Sequence, residues 1–202
     1  MPPATDRERT LKLARRARGV TPRDLAEQGI HRQVLTRLVA QGQIERVARG
    51  VYRLPEHPIT ESHGLALAAA AVPQGVICLL SALQYHRIGT QLPSEVWMAL
   101  DRRAWRPRLA YPPLRIVRYS GEAMSAGAET HRIEGMPVKV YGPAKTVADC
   151  FKYRNKIGLD VALEALREGW RERRFTMDEL DRYAEICRVQ KVMRPYLEAL
   201  GA

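Results

Sequence analysis

Apolar positions recur along this chain in a helical rhythm, then an alternating one, then a helical one again, and that succession outlines two parts. Over residues 6–18, Leu11, Leu13, Ala14 and Ala17 make one side of a helix, with Arg7, Arg9, Lys12, Arg15, Arg16 and Arg18 largely outside. Thr21, Pro22 and Asp24 then supply a hydroxyl N-cap, a proline at the first helical position and a carboxylate one turn in. They open a short helix with Leu25 and Ala26 inward, and Gly29 stops it. Val34, Leu35, Leu38 and Val39 follow at helical spacing, predicting a second helix that Gly42 closes. Residues 44–54 hold two β-compatible runs meeting near Ala48 to Gly50, the pattern of a hairpin with arginines at its tip.

Pro55, Glu56, His57 and Pro58 read as a linker, which puts a domain boundary near residue 57. Beyond it, residues 61–72 and 76–87 predict two helices, the first rich in alanine. Residues 95–100 are apolar on both faces and suit a central strand, whereas 114–119 and 131–141 alternate, the latter with Glu134, Gly135 and Met136 as a turn. Residues 144–154 predict a helix in which Val147, Ala148 and Phe151 pack while Lys145 and Asp149, one turn apart, pair weakly. A helix over 159–173 and one launched by the capping box from Thr176 to Glu179 follow, and Pro195 separates a final turn. The fold class expected is α+β. Residues 1–57 form an N-terminal winged helix-turn-helix, and residues 58–202 a C-terminal mixed domain of helices packed on a small, mostly antiparallel sheet.

Two short helices across a glycine-containing turn can set the second helix in a DNA major groove. Its polar side chains, His31, Arg32, Gln33, Thr36 and Arg37, suit that task, since arginine binds guanine and glutamine binds adenine through two hydrogen bonds. The hairpin reads as a wing, with Arg46 and Arg49 directed to phosphate or minor groove. A helical hairpin with a solvated arginine face is the alternative. The basic loop between the first two strands, with Arg102, Arg103, Arg106 and Arg108 around Trp105, is a candidate second nucleic-acid contact, or equally a solvated loop.

Charge sharpens this picture. The formal net charge is +11, and residues 1–57 carry 12 Lys+Arg against 6 Asp+Glu, more than twice the net charge per residue of the remainder. Such a balance points to a polyanion, nucleic acid before membrane. The composition, 46% hydrophobic and 27% charged, is that of a soluble protein, and neither an apolar run of spanning length nor a signal-peptide pattern occurs, so a cytoplasmic protein is expected. Cys78, Cys150 and Cys187 match neither a disulfide framework nor a zinc site and read as small hydrophobes.

Enzymatic patterns are missing from the sequence: the histidines show no HExxH spacing, the serines no nucleophile elbow, and no glycine-rich phosphate loop occurs. The carboxylates Glu95 with Asp101, or Asp149 with Asp160, could hold a nuclease metal only if the fold brought them together. No enzyme activity and no cofactor are expected.

Three stretches carry a family resemblance: ARGVYRLP at 48–55, CLLSALQYHRIG at 78–89 and VKVYGPAKTVADCF at 138–151. In order and spacing the chain resembles the AbiEi family, antitoxins and transcriptional regulators of bacterial type IV toxin-antitoxin pairs. The resemblance implies a winged helix followed by an α/β antitoxin domain, a double-stranded operator with inverted repeats, repression of the protein's own operon, and a nucleotidyltransferase-like toxin as partner. It touches Arg32, Gln33, Thr36, Arg37, Arg46 and Arg49 by position in the winged helix; Thr146 and Asp149 lie in the last motif, where capping or pairing is the role read from the residues. A homodimer would match a symmetric operator. A protein-binding antitoxin without DNA specificity and a metal-dependent nuclease stand as alternatives.

Overall fold

The caps and glycine stops place the first elements where the hydrophobic rhythm puts them. A computed structural model describes residues 4–17, 19–48, 50–56, 60–107, 109 and 111–201. Three helices come first, α1 (Asp6–Ala17), α2 (Pro22–Glu27) and α3 (Gln33–Ala40), and then the strands β1 (Glu45–Ala48) and β2 (Val51–Arg53). There follow α4 (His63–Ala71), β3 (Val76–Ile77), α5 (Leu79–His86), β4 (Val96–Asp101), β5 (Leu114–Tyr119), α6 (Glu122–Ser125), β6 (Ala128–Ile133) and β7 (Met136–Tyr141). The chain ends in α7 (Pro143–Lys152), α8 (Arg154–Ile157), α9 (Leu159–Arg171), α10 (Met177–Cys187) and α11 (Gln190–Ala199). The architecture is α+β, and no helix among the described residues is long and apolar enough to cross a membrane.

Two compact units divide the chain: residues 1–73 with 131–138, and residues 74–130 with 139–202. This differs from the boundary expected near residue 57; His57 and Pro58 of the expected linker lie outside the described residues. Helix α4 packs against β1 and so counts with the first unit. Residues 131–138 join that unit through a polar network. The buried Glu134 carboxylate accepts hydrogen bonds from the Thr60 backbone N–H (2.9 Å) and hydroxyl (2.8 Å) and lies 2.6 Å from His63 Nδ1. Arg132 grips Asp24 with both terminal nitrogens, at 3.0 and 3.2 Å. Glu134 and Gly135 form the hairpin turn with φ of 49° and 79°, both in the left-handed region that a tight two-residue turn requires. A side chain on Gly135 would collide with the backbone of Gly19, so glycine serves the close approach as well.

The larger sheet has five strands among the described residues, in the order β5-β4-β3-β7-β6. It is mixed, where mostly antiparallel pairing was expected. Strands β4 and β5 run parallel over their full length, β3 and β7 pair parallel at Ile77 and Val140, and β3 and β4 are antiparallel. The loop after β4 carries the chain back to β5's starting end, which is what parallel pairing demands. Val76 and Ile77 are a buried strand and not the start of a helix. Their β-branched side chains follow Gly75, where any side chain would strike Met98 on β4. Pro195 lies inside α11 and does not separate a final turn.

The core of the second unit centres on α7, which packs against α5, α9 and α10 and is buried continuously from Ala144 to Phe151. Lys145 and Asp149, expected as a weak pair, are both 0% exposed, with Nζ 2.5 Å from Oδ2. Neighbours on every side leave the polar face of α7 no route to water. The ammonium also lies 4.2 Å from the centre of the Tyr141 ring and 4.9 Å from that of Tyr119, while the Cys187 thiol donates to Asp149 Oδ1 at 3.2 Å. Thr146 donates its hydroxyl to the Tyr141 carbonyl (3.0 Å). The three cysteines are free and buried, and burial pushes the Cys187 thiol up to about 12.

Removing one charge of the buried pair strands the other. Asp149→Ala is expected to cost about 3–5 kcal/mol in urea unfolding of the full chain, and replacing the pair jointly by Lys145→Met and Asp149→Leu to restore most of it. In the first unit, burial pushes the Glu134 carboxyl up, but the bonds from His63 and Thr60 outweigh it and hold it below its ordinary value of 4.5. A carboxyl lowered by folding stabilises fully above that value and loses its contribution as the pH falls. Unfolding midpoints measured from pH 7 downward should therefore drop more steeply in the native protein than in Glu134→Gln.

Candidate nucleic-acid interface

Helix α3 owes its orientation to burial on one side. Leu35 and Leu38 are 1% exposed and pack with Ala14, Val20, Leu25, Ile30, Ile44 and Leu54. Each buried leucine contributes about 1.5–3 kcal/mol. The opposite side, Gln33, Thr36 and Arg37, is exposed, together with His31 and Arg32 just ahead of it. Val39, expected inward, is 37% exposed and so borders this polar side.

The turn before α3 is built from the backbone. Gly29, at φ 68°, lets the Ile30 N–H return to the Leu25 carbonyl (2.9 Å), and Arg9 of α1 donates to the Gln28 carbonyl (2.6 Å). His31 has a local task, since its Nδ1 accepts the Gln33 backbone N–H (3.3 Å) at the start of α3. Ahead of the turn, α2 begins with a complete capping box. Asp24 N–H donates to the Thr21 hydroxyl (3.2 Å), and Thr21 N–H donates to the Asp24 carboxylate (2.8 Å). Burial raises the Asp24 carboxyl, and the hydrogen bonds from Arg132 and Thr21 more than reverse that, leaving it below its ordinary value. After α3, Gly42 (φ 66°) ends the helix and Gln43 accepts from Arg7 Nε of α1 (3.0 Å).

Strands β1 and β2 pair antiparallel with Glu45 opposite Arg53 and Arg46 opposite Tyr52, and a bulge lies between Arg46 and Ala48. The Arg53 guanidinium meets the Glu45 carboxylate across the pair at 2.5 Å. A two-way backbone bridge between Val20 and Tyr52, at 2.8 and 3.0 Å, ties the hairpin to the loop between α1 and α2. Arg46 is exposed on β1; Arg49 lies outside the described residues. The described elements of this segment are thus three helices followed by a tethered two-stranded ribbon.

Sequence reading placed the exposed set on α3 and missed the residues that hold it. Arg7 and Arg9, expected largely outside, also bond within the unit, Arg7 while exposed and Arg9 from a half-buried position. Arg132 and Glu134 reach partners far away in the sequence, with separations of 108 to Asp24 and 71 to His63, and no local signal marks them. Lys12, Arg15 and Arg16 of α1 remain exposed. In the second unit Arg102, Arg103 and Arg106 are exposed beside Trp105, while Arg108 lies outside the described residues.

Three of the four carboxylates considered for a metal are engaged elsewhere. Glu95 pairs with Arg115 (2.8 Å), Asp101 accepts the Arg103 N–H (2.8 Å), and Asp149 pairs with Lys145. Among the described residues no group of three or more His, Cys, Asp or Glu side chains could hold a metal ion.

No curated protein sequence matches the chain. Its fold is similar to that in the crystal structure of the RV2827C protein from Mycobacterium tuberculosis, at 16% identity and a TM-score of 0.50, over 91% of this chain and 72% of that one. Residues 8–55, from α1 through the hairpin, match the family described as transcriptional regulator, AbiEi antitoxin, which is the family the sequence resembles.

Proposed function

We propose that the protein is a cytoplasmic, non-enzymatic transcriptional repressor and antitoxin that binds a double-stranded operator of inverted repeats and restrains its own operon. The observation that carries this reading is the two-sided character of α3, with Leu35 and Leu38 buried and Arg32, Gln33, Thr36 and Arg37 exposed opposite, in a segment that matches AbiEi regulators. Arginine can bind guanine and glutamine adenine through two hydrogen bonds, which suits the exposed Arg37 and Gln33 to reading base edges. Arg46, with Arg49 beside it in sequence, supplies charge for phosphate. Phosphate contacts contribute most of the affinity and its salt dependence, and base contacts the choice of site. A homodimer on the operator and a nucleotidyltransferase-like toxin complete the proposal, the second as what the family resemblance implies.

The test titrates fluorescent duplexes covering the DNA upstream of the gene, and scrambled versions, against the full chain. Arg37→Ala should weaken the preferred site by roughly 1–3 kcal/mol and narrow its advantage over scrambled DNA. Arg46→Ala should weaken all duplexes alike and flatten the salt dependence by about one unit. Equal losses for both variants on both duplexes would remove the division of roles, and absence of any salt-dependent duplex binding would remove the proposal.

A further inference from the structure

Outside the N-terminal segment, the chain's positive charge is gathered in one place. Residues 101–118 hold six arginines and one aspartate, a net +5, whereas the rest of the chain from residue 58 onward is balanced. This stretch spans the turn after β4 and the whole path to β5. At its head stands Trp105, 86% exposed, the most exposed large hydrophobic side chain among the described residues, with Tyr111 65% exposed further on. Arg102, Arg103 and Arg106 are exposed around the indole.

The turn that carries Trp105 is held firmly from behind. Asp101 accepts the Arg103 N–H on its carboxylate (2.8 Å) and the Ala104 N–H on its carbonyl (2.9 Å). Arg118 of β5 donates to the carbonyls of Asp101 (2.9 Å) and Ala104 (2.7 Å), and the Arg102 N–H donates to the Tyr119 carbonyl (2.8 Å). An arginine thus locks the root of the turn while the indole beyond it faces water. Fixing the backbone in advance lowers the entropy lost when a partner stacks on the ring.

From this we infer that the Arg102–Arg106 turn is a second binding site, specific for single-stranded nucleic acid, in which Trp105 stacks on an unpaired base and Arg102, Arg103 and Arg106 engage the flanking phosphates. An indole offers a flat face to any base, guanidinium groups match phosphate in pairs, and the bases of a duplex keep their faces stacked out of reach. The site is separate from the duplex-reading role of α3 and does not depend on it.

The experiment uses the full chain and labelled oligothymidylate and oligouridylate of about 16 nucleotides, a length that covers a typical single-strand site. Binding is followed by anisotropy, and tryptophan emission is recorded with unlabelled oligomers. Native protein should bind and its emission should fall; Trp105→Ala should bind about tenfold more weakly, while Trp105→Phe keeps most of the affinity because a ring remains to stack on. Joint replacement of Arg102 and Arg103 by alanine should flatten the salt dependence by about 1.4. Duplex binding should be unaffected by Trp105→Ala. Unchanged single-strand affinity in Trp105→Ala overturns the assignment, as does equal quenching by polyglutamate, which would make the turn a site for acidic protein. A matching loss of duplex binding in the same variant overturns it too, by making the turn part of the duplex interface.

Discussion

Everything proposed for the first unit depends on the sidedness of one eight-residue helix. Helix α3 can present polar side chains to a partner only because Leu35 and Leu38 are drawn to the opposite side by a small core shared with α1, α2 and the hairpin. Removing a leucine from such a core costs several times what a surface hydrogen bond contributes. The apolar contacts therefore set the orientation of α3, and the hydrogen bonds around it adjust its ends. Thr21 and Asp24 cap α2, His31 and Gly42 shape the two ends of α3, and the Val20–Tyr52 bridge fixes the ribbon.

The same unit includes a segment distant in sequence. Arg132 and Glu134, at the hairpin of residues 131–138, place their charges on Asp24, Thr60 and His63. Asp24 illustrates the economy of the arrangement, capping its own helix through one set of contacts while receiving Arg132 on both oxygens. Glu134 is buried and tolerable there because the Thr60 N–H and hydroxyl and the His63 ring meet its carboxylate.

In the second unit polar groups are buried more deeply. The Lys145–Asp149 pair sits within two tyrosine rings and against a thiol, with no exposure at either end. Taking two charges out of water is costly even when they meet, so the pair adds less to stability than its short distance suggests, and its main consequence is that neither partner can be lost singly. The turn bearing Trp105 shows the reverse pattern, an apolar ring left in water on a backbone held through the Asp101 and Ala104 carbonyls.

Local chemistry was enough to place much of this. The extents of α1, α2, α3 and the hairpin follow from caps, glycines and the spacing of leucines, because each depends on residues a few positions apart, and the same holds for β4, β5 and the capping box of α10. The exposed set on α3 was legible for the same reason. What the sequence could not reveal were facts that depend on distant neighbours. Parallel pairing of β4 with β5 and the two-residue strand β3 are decided by which strand lies alongside, and nothing local distinguishes Val76 and Ile77 from a helix start. The burial of Lys145 and Asp149 follows from helices packed around α7, and the anchoring of Asp24 by Arg132 from a contact across 108 positions. Periodicity reports which side of an element is apolar; only the assembled fold determines what, if anything, stands against the other side.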